Sequence, residues 1–399
     1  MGAGGPLQGV RVIEAATLAA GPMAGAALGE FGAEVIKVEP PGAGDPMRTW
    51  GNRRDGIGLA WKSVGRNKRC VTVDLRQGDG QELFHELLAV SDVLLVGNRP
   101  SALQRWTIDW ATVHERHPHV VMCHITGYGR GGPKSDRPGY GTLAEAMSGF
   151  AHVVGQPDGP PTLPPFMLAD GVASMAATYA VVMALYHRDV HDGEGQLVDV
   201  SLIEPLARLI ETSTLSYDQL GLVPGRVGNR LDASAPRNAY RTADDRWLAI
   251  SSASPSIAVR VFRAIGRSDL ADDPDYVDPV RRQERAGEVD GLVADWVAGR
   301  TLDGAMAVFE AAEVTAAPVY DATQLLADEH LQARGTWVTV DDPDFGPTTV
   351  QGPVAQLTGT PGRVDHLARG LGADNDHVFT ELLGVSAERL QELRERGVV

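Results

Sequence analysis

Cysteine is almost absent from this chain, with only Cys70 and Cys123 in 399 residues. That scarcity excludes a disulfide-stapled scaffold. Both thiols sit in apolar, strand-like runs, which predicts that they are buried and reduced and that the protein is cytoplasmic. No uninterrupted apolar run approaches the ~20 residues of a bilayer span, so no membrane partner is expected. The opening MGAGGPLQGVRVIE lacks the basic-then-apolar order of a secretory signal. Pro6 stands where a myristoylation site needs Ser or Thr. Positive charge is also short: 36 Lys and Arg against 52 Asp and Glu give a net charge of −16. That balance excludes a general nucleic-acid binder.

Familiar phosphate and nucleophile motifs are missing too. After the first strand the chain reads Ala15-Ala-Thr-Leu-Ala-Ala-Gly21-Pro22, not the Gly-x-Gly-x-x-Gly of a dinucleotide site. There is no P-loop lysine motif and no Gly-x-Ser-x-Gly elbow. His114, His117, His119 and His124 crowd together without a carboxylate or cysteine in register, so a solvated turn is predicted and no metal is expected.

What is present is alternation. Strand-like runs at residues 9–14, 35–39, 70–75, 92–96, 120–126 and 196–200 are separated by helical stretches at 21–31, 81–90, 110–117 and 172–188. This pattern predicts βαβ units and a mostly parallel sheet, an α/β fold. Composition then shifts. Residues 206–235 read as a linker. A hairpin at 238–251 and helices at 257–265, 287–298 and 302–312 open a second, smaller α+β unit. In the first helix Gly21, Gly25 and Gly29 share one face, which predicts close approach of another backbone.

Three features point to a site. Between Met47 and Arg69, the seven bases Arg48, Arg53, Arg54, Lys62, Arg66, Lys68 and Arg69 are opposed only by Asp55. Such an island suits either a small polyanion or a solvated loop paired with acids elsewhere. Two strand ends carry turn residues and cations: Gly97-Asn98-Arg99-Pro100 with Arg105, and the glycine-rich Gly127-Tyr128-Gly129-Arg130. Ligands bind at the carboxyl ends of strands in open α/β sheets. The third feature is Asp170, which ends the apolar run from Phe166 and precedes Gly171 and a long small-residue helix. A carboxylate at a helix N-terminus should stay ionised and exposed, fit either to cap the helix or to act as a nucleophile.

In this order the pieces resemble the family III CoA-transferases, the CaiB/BaiF type that includes formyl-CoA transferase, carnitine CoA-transferase and α-methylacyl-CoA racemase. The resemblance rests on the opening Leu7-x-Gly9-Val-Arg-Val-Ile-Glu14 and Gly32-Ala33-Glu34-Val35-Ile36-Lys37-Val38-Glu39. It extends through Gly42-x-Gly44-Asp45-x-x-Arg48, Asn67-Lys68-Arg69, Asn98-Arg99-Pro100 and Gly127-Tyr128-Gly129. It ends with Ala317-Pro318-Val319, the run from Leu326 to Gly335, and the closing Leu383-Gly384-x-Ser386. The resemblance implies a Rossmann-like large domain of residues 1–205, completed by 345–399. It also implies a small domain of residues 236–335 and a ring-shaped chain in an interlocked homodimer. It implies an acyl-CoA:carboxylate CoA-transferase with Asp170 as the nucleophile and no permanently bound cofactor, the coenzyme A thioester being a substrate. By position it assigns CoA contacts to Arg48, Asn67, Lys68, Arg69, Asn98, Arg99, Arg105, Gly127, Tyr128 and Tyr140. Residues 228–235 replace the poly-glycine loop of some members, and Glu39-Pro40-Pro41 lacks a basic residue that some place there. A racemase would need a histidine where Tyr140 stands, and the nearest, His152, is misplaced. A non-catalytic CoA-ester-binding protein is the third reading.

Overall fold

The computed structural model describes residues 4–399. The chain forms two compact units. The first comprises the described residues up to Phe150 with Leu163–Asp218 and His330–Val399. The second comprises Ala151–Thr162 and Gln219–Glu329.

The first unit is built on a six-stranded parallel sheet. Its strands are β1 (Arg11–Glu14), β2 (Glu34–Glu39), β3 (Lys68–Thr72), β4 (Val93–Val96), β5 (Val121–Thr126) and β6 (Leu197–Ser201). Their spatial order is β3-β2-β1-β4-β5-β6. The order reverses between β1 and β4, and in doubly wound sheets the crevice at that reversal holds the ligand. Consecutive residues of one strand feed opposite cores. Val12, Val35, Val93 and Leu95 pack on one side. Ile13, Ile36, Leu94 and Val96 pack on the other. Both faces are covered, which is why these strands read as continuous apolar runs.

Helices α1 (Ala20–Glu30) and α5 (Leu168–Val190) lie together on the first face. Between them in sequence come α2 (Gly78–Ala89), α3 (Trp110–Arg116) and α4 (Gly141–Met147). Leu83, Phe84 and Leu87 of α2 fill the second face. The glycine stripe of α1 works differently from the expectation of another backbone. A Cβ on Gly25 would meet the Glu14 carboxylate at 2.0 Å, and one on Gly29 the Asn67 Cβ at 3.2 Å. The stripe makes room mainly for side chains.

Helix α5 corrects the reading of apolar runs. It has 23 residues and by length and composition alone could cross a membrane. Its Ala169, Ala173, Ala177, Val181 and Ala184 sit in the core against α1, as the central helix of a packed domain would.

The second unit holds an antiparallel sheet of β7 (Arg237–Arg241), β8 (Trp247–Ser251) and β9 (Ala316–Pro318), with β8 in the middle. Helices α6 (Pro255–Ala264), α7 (Ala286–Ala298) and α8 (Leu302–Ala311) bring Phe262, Val293 and Phe309 against Tyr240, Leu248 and Ile250. The hairpin and the three helices lie where the sequence puts them, within two residues at each boundary. The chain then returns to the first unit through a hairpin of β10 (Trp337–Asp342) and β11 (Gly346–Gln351) and the closing helix α9 (Ala387–Glu395). Leu390 and Leu393 of α9 join the core beneath the sheet.

Candidate active site

Asp170 lies in the first turn of α5, not at its cap. The helix begins at Leu168, with Met167 as the flanking residue. Its carboxylate is half-buried rather than exposed. The backbone N–H groups of Asp170 itself and of Ala20, the first residue of α1, act on it to favour the ionised form. Two helix N-termini therefore face one carboxylate, which favours the anion. Burial opposes them, and so does the nearby carboxylate of Glu145, a buried residue of α4. The net effect raises the Asp170 pKa above its ordinary value, burial being the largest cause and Glu145 the next. Desolvation and like charge outweigh the dipole on which the sequence expectation rested. The Gly171 N–H donates to the Met167 carbonyl at 3.0 Å and so is spent inside the helix. At the N-terminus of α1 the N–H groups beside Asp170 are those of Ala20 and Gly21, since Pro22 has none and Met23 donates to the Ala19 carbonyl at 2.8 Å.

The loop from β1 to α1 borders three hollows. A cleft of ≈ 570 Å³ runs past Leu18 and Ala19 to Tyr140, Glu145 and Asp170. A small hollow of ≈ 90 Å³ connects Asp170 to Gly21, Gly97 and Gly127. A third of ≈ 340 Å³ lies at the carboxyl ends of β1, β2, β3 and β4, against Thr17, Gly44, Asp74, Asn98 and Trp106. All lie along the crevice where the strand order reverses. In this loop Leu18 takes φ +66°, a conformation a leucine adopts only when its surroundings force it. Its N–H donates to the Asp45 carboxylate at 3.1 Å. Asp45 is held in turn by the buried Lys37 ammonium at 2.7 Å and by the Met47 N–H at 2.9 Å. A buried ion pair thus sets the backbone that lines the cleft.

A chain with these elements in this order can be compared with known proteins. Residues 7–375 match the model of CoA-transferase family III. The chain belongs to CoA-transferase family III. It is 38% identical to succinyl-CoA–D-citramalate CoA-transferase of Chloroflexus aurantiacus, over 99% of this chain and 98% of that one. It is 30% identical to succinate–glutarate CoA-transferase of Agrobacterium fabrum, over 94% and 96%. Among solved structures it resembles a CAIB/BAIF family protein from Brucella suis, with a TM-score of 0.84 and 26% identity, covering 95% of this chain and 100% of that one. The protein is therefore a CoA-transferase, and the relatives' names make CoA thioesters the substrates of its family.

Within that frame the ten positions assigned to CoA fall into distinct settings. Arg99 and Arg105 stand at the two ends of the helix Pro100–Arg105, both exposed. Neither has an ion-pair partner among the described residues. Asn98 lines the third hollow, and its carbonyl accepts from His124 Nε2 at 2.7 Å. Gly127 approaches Gly139 so closely that a Cβ there would lie 2.6 Å from the Gly139 Cα. Tyr128 packs on Gly139, and Tyr140 projects into the cleft at 63% exposure. Of these six, Asn98, Gly127 and Tyr140 line the hollows, while Arg99, Arg105 and Tyr128 are chain neighbours of lining residues.

The basic island resolves mostly into structural pairs. Arg48 is bidentate to Glu39, with both contacts at 2.6 Å, and stacks on Trp61. Lys62 pairs with Asp342 at 2.8 Å and Arg66 with Glu30 at 3.1 Å. Lys68 has no exposed surface and bridges Glu14 at 2.6 Å. Arg69 bonds Glu34 at 3.1 Å. Asn67, at φ +55°, donates to the Arg363 carbonyl and accepts from the Asp365 N–H, fastening the chain's return segment to the sheet edge. Arg53 alone of the seven bases lacks an acid within 4.0 Å among the described residues.

The histidine cluster is not a solvated turn either. His124 and His117 are buried, and His117 Nε2 meets His85 Nδ1 at 3.1 Å. Sequence reading passed over Glu145, Leu18 and Trp50. Only Trp50, an aromatic just after the Arg48 motif, carried a local signal.

Proposed function

We propose that this CoA-transferase moves CoA between carboxylic acids through covalent intermediates on Asp170. The observation that carries the reading is the Asp170 carboxylate itself: half-buried, lining two connected hollows, and raised in basicity by burial and by Glu145. An Asp170 oxygen attacks the thioester carbonyl, the C–S bond breaks, and a mixed anhydride forms with the CoA thiolate released. The thiolate then attacks the aspartyl carbonyl, freeing the donor carboxylate and leaving an aspartyl–CoA thioester. An acceptor carboxylate attacks that thioester, and the returning thiolate takes the new acyl group and restores Asp170. No net proton is consumed, so no general base is required. Attack removes the Asp170 charge, which relieves both its desolvation and its repulsion by Glu145. At the start of α1 the Ala20 and Gly21 N–H groups are available to the developing oxyanion, since helix-start donors lack intrahelical acceptors.

The third hollow is lined by Asn98 and Trp106, the chain neighbours of Arg99 and Arg105, and suits the phosphate-bearing end of CoA. The β1–α1 loop then guides the pantetheine arm towards Asp170. Tyr140 occupies the place of the racemase histidine, and among the described residues no histidine lines either hollow that Asp170 borders, which favours acyl transfer over α-proton exchange.

A second copy of the chain completes the assembly as a homodimer. Support comes from the outer face of α5, where Met175, Tyr179, Met183 and Tyr186 are exposed at helical spacing. Apolar stripes of that kind mark association surfaces. Two buried, unpaired thiols fit a cytoplasmic home.

The direct test is hydroxylamine trapping during turnover with a CoA ester. A hydroxamate should form at Asp170 and nowhere else, and Asp170→Asn should abolish exchange while retaining CoA-ester binding. Undiminished exchange in that variant would end the nucleophile reading.

A further inference from the structure

We infer that two buried histidines, His85 and His124, are positioning residues for CoA. They fasten the two ends of residues 98–107 by donating hydrogen bonds to its backbone. The role rests on the placement of CoA proposed above. This segment carries Asn98 and Trp106, which line the third hollow, with Arg99 and Arg105 beside them in the chain. None of its residues lines either hollow that Asp170 borders.

At one end, Nε2 of His124 on β5 bonds the Asn98 carbonyl at 2.7 Å. At the other, Nε2 of His85 on α2 bonds the Thr107 carbonyl at 2.9 Å. A carbonyl only accepts, so both Nε2 atoms carry the proton. In the neutral ring His85 Nδ1 is then an acceptor, and His117 Nε2 donates to it at 3.1 Å. His124 Nδ1 is buried without a partner among the described residues, so a second proton there would have nothing to bond. Burial is the largest cause that lowers the pKa of all three rings, His117 to about 4. His85 and His124 are therefore neutral donors, each with one proton aimed at one carbonyl.

The backbone they hold is strained. Thr107 takes φ +57°, where a β-branched residue is an outlier that persists only if its surroundings fix it. Gln81, one turn before His85 on the same face of α2, adds a bond from its Nε2 to the Arg105 carbonyl at 3.3 Å. Leu103 and Ile108 are buried in the core, so apolar packing keeps the segment attached while the polar ties set where its ends lie. With a tie removed, CoA would have to order the segment as it binds. That weakens affinity without touching the chemistry at Asp170.

The test is steady-state exchange by the full chain together with calorimetric binding of free CoA. His85→Leu and His124→Leu should each raise KM for a CoA ester about tenfold and weaken CoA binding to match. The kcat and the KM for the carboxylate acceptor should not change. His85→Gln and His124→Gln should bring KM back to within about twofold, because the glutamine amide nitrogen overlays Nε2 and still donates. His85→Asn and His124→Asn place that nitrogen at Nδ1 and should behave as the leucine variants do. Should a leucine variant fail to fold, the contrast between the Gln and Asn variants reads the same bond. Equal KM in the Gln and Asn variants, or a loss confined to kcat or to stability, overturns the positioning role. If Arg99→Ala and Arg105→Ala raise KM for the ester and the histidine variants do not, the role falls and the placement of CoA stands. If none of them changes KM, that placement falls with it.

Discussion

Gly141 and Asp170 interlock: a Cβ built on Gly141 would lie 2.3 Å from Asp170 Oδ2. Gly141 is the first residue of α4, directly after the cleft tyrosine, and it is buried. Its missing side chain is the space the carboxylate occupies. Gly141→Ala should displace the carboxylate from the Ala20 N–H and from the line of attack, while the helix gains a better helix former. Misplacement of that order costs about 100-fold in rate. The expected outcome is a fall of that size in kcat with an unchanged circular-dichroism spectrum. A variant of full activity would show that the carboxylate works from another position.

Glu145 and burial hold the Asp170 carboxyl above its ordinary value, and attack requires the ionised form. Activity therefore falls as pH drops through that raised value. Glu145→Gln removes the like charge and should carry the acid limb of kcat/KM to lower pH. The linkage to stability has the same origin. An acid with a raised folded pKa contributes stability that is fully present below its unfolded pKa and is lost as pH rises through its folded pKa. At neutral pH the ionised Asp170 is thus a burden on the fold. Asp170→Asn should raise the thermal midpoint near pH 7 and lose that advantage at acid pH. Calorimetry at both pH values checks the sign.

The sheet was legible because its code is local. Strand residues alternate between two covered faces, so apolar runs punctuated by helical stretches identify β1 to β6 from sequence alone. The stripe of Gly21, Gly25 and Gly29 was legible as empty space but not as to its occupant, because a glycine records that something approaches and not what. The charge of Lys68 was visible, whereas its burial against Glu14 depends on two strands that flank β2 in the sheet. Asp170 was legible as a first-turn acid. Its raised basicity was not, since Glu145 and Ala20 reach it from other helices. The first strand of the β10–β11 hairpin was not legible, because Trp337–Asp342 carries two terminal acids that obscure its strand pattern.

Arg99 and Arg105 are exposed, have no acid within 4.0 Å among the described residues, and neighbour in the chain Asn98 and Trp106, which line the third hollow. If they meet the phosphates of CoA, each contributes modestly because water screens both. Arg99→Ala and Arg105→Ala should each raise KM for a CoA ester about fivefold, equivalent to about 1 kcal/mol, and leave kcat unchanged. The loss should shrink as ionic strength rises. The same substitutions should leave KM for the free carboxylate acceptor alone, which separates a phosphate contact from a general defect. Equal effects on both substrates would remove these arginines from the CoA site.

Lys68 is the contrasting case, a cation whose loss should register in the fold. Its ammonium lies at 2.6 Å from Glu14 and 2.7 Å from the Pro22 carbonyl, with no exposed surface. Glu14 is equally buried and shares its other oxygen with Lys37 at 3.1 Å. Gly25 leaves the room for this cluster, its absent Cβ facing both the Glu14 carboxylate and the Lys68 ammonium. Removing one partner of a buried pair leaves the other charge uncompensated, at about 3–5 kcal/mol. Lys68→Ala should lower the first thermal transition by roughly 10 °C. The protein that remains folded should keep its KM for CoA esters, because the ammonium never reaches solvent. Replacing both partners, as in Glu14→Gln with Lys68→Met, should recover part of the loss, since two neutral groups of similar shape carry no unpaired charge. A Lys68→Ala protein of unchanged stability but weakened CoA binding would reverse the assignment and return Lys68 to the ligand.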